Sequence, residues 1–146
     1  MLFIAKTSVP EVHTLAFGSP PGEGNRKLQS IRKTPLVQCP QLKIIRIDMS
    51  IYFGSINHIQ RQISQIVDNQ RIYHILIVAS GVNFIDLAGI EGLLIEHRRL
   101  KTLNGSLYFV DVKSSTYEFM EKVNFVNEIG RRSEEHTSEL QSRAYL

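Results

Sequence analysis

The sequence predicts an α/β domain: a mixed, largely parallel sheet with helices packed against it. Three observations predict it. From residue 42 onward, short β-branched runs alternate with segments whose apolar residues recur at helical spacing. The run Ile72 to Ala79 is apolar on both faces, as in a strand in the middle of a helix-covered sheet. Strand and helix then keep alternating, which places successive strands side by side through right-handed crossovers.

The elements follow in order. Met1-Leu2-Phe3-Ile4-Ala5, ahead of Lys6, reads as an edge strand or as the cut end of a membrane helix with Lys6 at the interface. Gly18 to Asn25 reads as a loop, because its Pro and Gly residues break both regular structures. It is not a phosphate loop, which needs Lys and then Ser or Thr after its last glycine, where Asn25 and Arg26 stand. Leu42 to Ile47 reads as a strand ending near Asp48. Ile56, Ile59, Ile63, Ile66 and Val67 mark an amphipathic helix opened by Ser55 as N-cap and closed by Asp68-Asn69. The central strand leads through Ser80-Gly81-Val82-Asn83-Phe84-Ile85 to a second helix. Its N-cap is Asp86, its apolar stripe is Ile90, Leu93, Leu94, His97 and Leu100, and Asn104-Gly105 supplies its stop. Leu107 to Val112 is the next strand. Ser115 and Glu118 have capping-box spacing and open a third helix with Phe119, Met120 and Val123 inward.

Composition bounds the function. A chain of 146 residues suits one domain. Its lone Cys39 cannot form an internal disulfide, and no Cys and His cluster has metal-ligand spacing, so a reduced setting and no metal are expected. No run of about 20 apolar residues is present, and the chain reads as soluble. The net charge of +3 is unevenly placed. Residues 1 to 46 carry seven bases against two acids (+5), residues 47 to 130 seven against nine (−2), and the tail three against three. The bases lack interleaved aromatics and any nucleic-acid motif, so no nucleic acid is expected as partner. Proximity to an anionic membrane face accounts for the basic N-terminal part.

Three acids, Asp48, Asp86 and Asp111, lie near strand ends, where open α/β sheets bind ligands. A phospho-receiver would place acids there too, but paired acids after the first long strand and a lysine placed to hold a phosphoryl group are both missing. Capping and solvation account for these acids, and no enzyme activity is expected. His97 sits on an apolar stripe without an obvious partner and reads as a packed histidine. Tyr52 and Phe53 read as core.

Cys39-Pro40, Ile47-Asp48, Ile51-Tyr52-Phe53-Gly54 and above all Val82-Asn83-Phe84-Ile85-Asp86 with Gly89 resemble the STAS domain of SulP-type anion permeases. The resemblance runs from about Lys6 to Gly130. It implies a STAS-type fold like that of anti-sigma-factor antagonists. It also implies a non-catalytic regulatory domain on the cytoplasmic face of the membrane, following the last membrane helix of a sulfate or related anion transporter. The implied partners are the transporter's own membrane domain and, beyond it, other STAS domains or cytosolic regulators. Three regions result: residues 1–38 as the end of the last membrane helix with a basic linker and first strand, 39–130 as the STAS core, and 131–146 as a non-native tail.

The main alternative is a stand-alone anti-sigma-factor antagonist. In those proteins the loop resembles Asp-Ser-Ser-Gly and its second serine is phosphorylated. Here the matching residues are Asp86-Leu87-Ala88-Gly89, and Ala88 has no hydroxyl to carry the roughly two negative charges of a phosphate. The expected interaction loop is therefore a docking surface of Asn83, Asp86, Leu87, Ala88, Gly89 and Glu91, with Glu91 adding favourable charge early in the helix. A third reading, weak binding of GTP or ATP at the helix N-terminus, is opposed by Asp86 and Glu91, and no cofactor is expected.

Residues Arg132 to Ser142 resemble a translated sequencing adapter and are set aside from fold reasoning. Asn127-Glu128-Ile129-Gly130 resembles the approach to the last STAS strand, so loss of the native final strand and helix, leaving an uncovered sheet edge, is expected.

Overall fold

A computed structural model describes residues 12–17, 28–30 and 41–130. The readings of Met1–Lys6, Gly18–Asn25, Cys39-Pro40 and the tail from residue 131 lie outside the described residues. Among the described residues nine elements follow one another: β1 (Val12–Phe17), β2 (Leu28–Ser30), β3 (Leu42–Ile47), α1 (Ile56–Gln70), β4 (His74–Val78), α2 (Leu87–Thr102), β5 (Ser106–Val110), α3 (Ser114–Lys122) and α4 (Phe125–Gly130).

The strands form one mixed sheet in the order β2-β1-β3-β4-β5. β3, β4 and β5 are parallel, with Ile45 beside Ile77 and Ile77 beside Phe109, and α1 and α2 are the crossovers between them. β1 is antiparallel to both β2 and β3. Sequence spacing singled out neither β1 nor β2, although Val12-His13-Thr14-Leu15-Ala16-Phe17 is built of residues that suit a pleated surface.

The pleat sorts side chains by parity. Ile45, Ile47, Ile75, Ile77, Leu107 and Phe109 share one core with helix residues such as Ile59, Ile63, Leu93, Leu100, Met120 and Phe125. Removal of each such side chain from water contributes about 1.5–3 kcal/mol. The described helices thus cover one face. The other face carries a smaller cluster of Leu15, Ile44 and Val78, flanked by Leu42, Leu76 and Val110. On that face Arg46 Nε reaches Asp48 at 2.9 Å and His13 Nε2 lies 3.3 Å from it, so a strand-end acid is matched by basic neighbours.

Helix α2 ends as its sequence suggests. Asn104 is left-handed with φ of 59°, and the Gly105 N–H donates to the Leu100 carbonyl at 2.8 Å. A Cβ at Gly105 would collide with the Tyr73 carbonyl, so the stop also brings two loops into contact. The α3 expectation is corrected. Lys113 holds the N-cap position, Ser115 lies inside the first turn, and no side chain caps the helix, so the Ser115–Glu118 box does not form. Among the described residues no helix is long and apolar enough to cross a membrane.

Candidate docking site

Parallel strands deliver their exit loops to one end of a sheet, and here the 48–55 and 79–86 loops are laced together there. The Ile51 N–H donates to the Phe84 carbonyl at 3.0 Å, and the Asp86 N–H donates to the Ile51 carbonyl at 3.1 Å. This is a one-residue parallel bridge between Ile51 and Ile85. Ser50 Oγ accepts from the Phe84 N–H at 3.3 Å.

Ser55 stands at the N-cap of α1, as expected, yet its hydroxyl does not cap that helix. Its Oγ is turned into the loop, donating to the Ser50 carbonyl at 2.9 Å and accepting from the Tyr52 N–H at 3.1 Å. Asp86 does cap its helix. Oδ1 accepts from the Gly89 N–H at 2.8 Å, and Oδ2 accepts from the Phe53 N–H at 3.1 Å in the neighbouring loop. Both carboxylate oxygens are therefore engaged within the protein. Gly89 is the residue this closeness requires, because a Cβ there would sit 2.5 Å from the Ile51 carbonyl oxygen.

A third loop joins through Asn83. Its side-chain oxygen accepts from Lys113 Nζ, and its carbonyl accepts from Thr116 Oγ1 at 3.4 Å. Of the expected interaction residues, Asn83, Asp86 and Gly89 are thus structural ties. Ala88 is half-buried in the first turn and Leu87 is exposed. Glu91 is exposed but one turn too late to act on the helix N-terminus, since the first turn holds no acid.

The apolar side chains on this framework point outward. Phe53 is 78% exposed, Leu87 59% and Phe84 53%. The Phe84 ring stands 5.9 Å from that of Tyr52. Phe53 therefore does not belong to the core as its sequence neighbours suggest, because the Asp86 bond to its N–H holds it in a surface turn. Three of the five large hydrophobic side chains exposed among the described residues gather around these two loops.

Behind the site, α1 and α2 meet along a polar seam that the sequence did not disclose. Gln60 Nε2 donates to the Gly92 carbonyl at 3.3 Å, and Arg99 donates to Ser64 Oγ at 2.7 Å and to Asp68 at 2.8 Å. Glu96 is buried in this seam, its Oε2 unpartnered by hydrogen bonds and 3.6 Å from Arg99. Burial pushes its carboxyl up against the opposing pull of Arg99. His97 is packed, as expected. Its Nδ1 accepts from the Leu107 N–H at 3.4 Å, and burial, reinforced by Lys101, holds the imidazole below its usual range. Among the described residues no cluster of three or more His, Cys, Asp or Glu could hold a metal ion.

Comparison with known proteins places this geometry. The family model for the STAS domain matches residues 33–139, well over half of the chain and nine residues beyond the core boundary expected at 130. By sequence alone, no curated protein matches. Among solved structures, the murine Solute Carrier 26 family member A9 anion transporter, in its inward-facing state, is similar over 88% of this chain with a TM-score of 0.70 and 17% identity. The match covers 21% of that transporter, so the chain spans about a fifth of its length. A sulfate transporter family protein from Wolinella succinogenes gives 0.54 at 16% identity over 67% of this chain and 78% of its own. The phosphorylated form of the Bacillus cell fate determinant SpoIIAA gives 0.51 at 14% identity over 68% of this chain and 92% of its own. At such identities these likenesses speak for the fold alone. With the family model matched across most of its length, the chain belongs to the STAS domain family.

Proposed function

We propose that the chain is a regulatory docking domain of a sulfate or related anion transporter, acting through the apolar surface of Phe53, Phe84 and Leu87. One observation carries the reading: three large apolar side chains stand exposed, Phe53 and Phe84 on loops and Leu87 at the first residue of α2, and the loops are tied by hydrogen bonds that Asp86 and Ser50 Oγ accept from backbone N–H groups and that Ser55 Oγ donates to the Ser50 carbonyl. Such a surface suits an apolar protein partner, with little ordering to be done on contact. The membrane domain of the same transporter is the partner, and the site lies on its cytoplasmic side. Asp86 contributes by holding the loops; with both oxygens engaged, its carboxylate is not the contact group.

The same geometry weighs against the other readings. Ala88 offers no hydroxyl for the phosphoserine switch of an antagonist. An Asp already bonded at the N-terminus of α2 opposes a nucleotide phosphate there. The experiment is binding of the chain to its membrane domain held in lipid nanodiscs. Phe84→Ser with Leu87→Asp is expected to abolish binding while leaving the unfolding midpoint in place. Unchanged binding by that double variant removes the proposal.

A further inference from the structure

The apolar surface continues along α2. Ile95, 56% exposed, is a fourth large hydrophobic side chain open to solvent. At about 100° per residue, Leu87, Glu91 and Ile95 follow one another along the outward side of the helix, within an arc of about 80° and a rise of about 12 Å. The remaining sides are taken up by packing: Gly92 and Arg99 meet α1, and Ile90 and Leu93 enter the core.

Two charges share the outward arc. Arg98 is held by Glu128 at 2.9 Å. Glu91 is exposed and has no side-chain partner among the described residues. A lone carboxylate therefore stands between two apolar side chains, each about one helical turn away. A partner that covers both Leu87 and Ile95 has to pass over Glu91 and strip water from it, and without a cation of its own it would leave a desolvated, unpaired charge. The acid thus selects the partner's charge. Cytoplasmic loops of membrane proteins are rich in Lys and Arg, and residues 47 to 130 of this chain carry a charge of −2. Two apolar anchors with a charge midway match a helix laid alongside α2, whose own side chains recur at the same spacing. We propose that Leu87, Glu91 and Ile95 receive an amphipathic helix from the transporter's cytoplasmic side, one that carries a Lys or Arg between two apolar residues. The inference rests on the docking reading and names the chemistry of its partner.

Binding of the 146-residue chain to the membrane domain in nanodiscs tests this at two exposed positions, with the unfolding midpoint expected to stay in place. Ile95→Ser is expected to raise the dissociation rate several-fold. Glu91→Gln is expected to slow association several-fold at low salt and to match the unaltered chain near 1 M salt, where charges act over only about 3 Å. A photoreactive side chain in place of Ile95 is expected to label a segment with a Lys or Arg within one helical turn of the cross-link. Unaltered rates in either variant, or label on a segment without a base, overturn the inference. So does equal binding to empty nanodiscs of the same lipids, which would assign the ridge to the lipid surface. Should the rates stay put while Phe84→Ser with Leu87→Asp still abolishes binding, the helix is wrong and the docking surface stands. Should every variant bind as the unaltered chain does, the docking reading fails with it.

Discussion

Helix α2 carries two acids in opposite circumstances. Asp86, at its exposed end, has both oxygens bonded to backbone N–H groups of two different segments. Glu96, ten residues on, is buried with Oε2 lacking a hydrogen bond and a guanidinium only at 3.6 Å. The half-buried Asp86, bonded through both oxygens, contributes order, and the more deeply buried Glu96 costs stability. A charge at a surface is useful where N–H groups converge on it, and a charge in an interface is costly where its partner is shared with another acid. Arg99 is that shared partner, since it also binds Asp68.

Gly89→Ala sets a Cβ against the Ile51 carbonyl and is expected to cost roughly 2–3 kcal/mol, read as a drop in the denaturant midpoint. Asp86→Ala removes the cap and the tie to Phe53 together, with an expected loss of about 1.5 kcal/mol. Asp86→Asn keeps one oxygen for the cap and is expected to lose about half as much.

The buried acid moves the other way. Glu96→Gln is expected to stabilise the chain at pH 7 by up to about 1 kcal/mol, because it removes a poorly matched buried charge while keeping the seam's shape. The pH dependence has a definite sign. With its carboxyl raised, the folded chain binds the Glu96 proton more tightly than the unfolded chain. Stability therefore falls as pH rises from the ordinary glutamate range through the folded value, and this fall is absent in Glu96→Gln. His97 has the opposite slope. Its imidazole is held below its usual range, so stability is lost as pH drops from about 6.5 through the folded value, a loss that His97→Gln removes. Thermal melts of the three proteins between pH 4 and 8 separate the two slopes. Smallest of all is the effect of Leu87→Asp on folding. The side chain is 59% exposed, and a change within about 0.5 kcal/mol is expected.

The parts of the fold that were readable in the sequence are those where one periodicity decides burial. Leu42–Ile47 and Ile56–Gln70 fall where β-branched and 3.6-residue patterns put them, and Asp86 caps as an acid before an apolar helix should. The misses share a cause: side-chain direction in a loop is set by partners distant in sequence. Phe53 follows a core-like Ile51-Tyr52, but a hydrogen bond to a residue 33 positions away turns it to water. Ser55 sits at a cap and bonds elsewhere, because Ser50 and Tyr52 offer it a better-placed acceptor and donor. Glu96 lies between Ile95 and His97 on a helix whose buried arc is wider than its apolar stripe, so spacing gave it no distinction. Within the STAS motif Asp86 and Gly89 tie the two loops together, while Phe84, and Leu87 just beyond Asp86, stand exposed.

The docking proposal is decided by anion transport through the permease to which it assigns this domain, carrying Leu87→Asp, set beside the unfolding midpoint of the isolated domain with the same change. The docking account predicts a several-fold change in transport with a midpoint that stays where it was. Transport equal to that of the unaltered permease would contradict it.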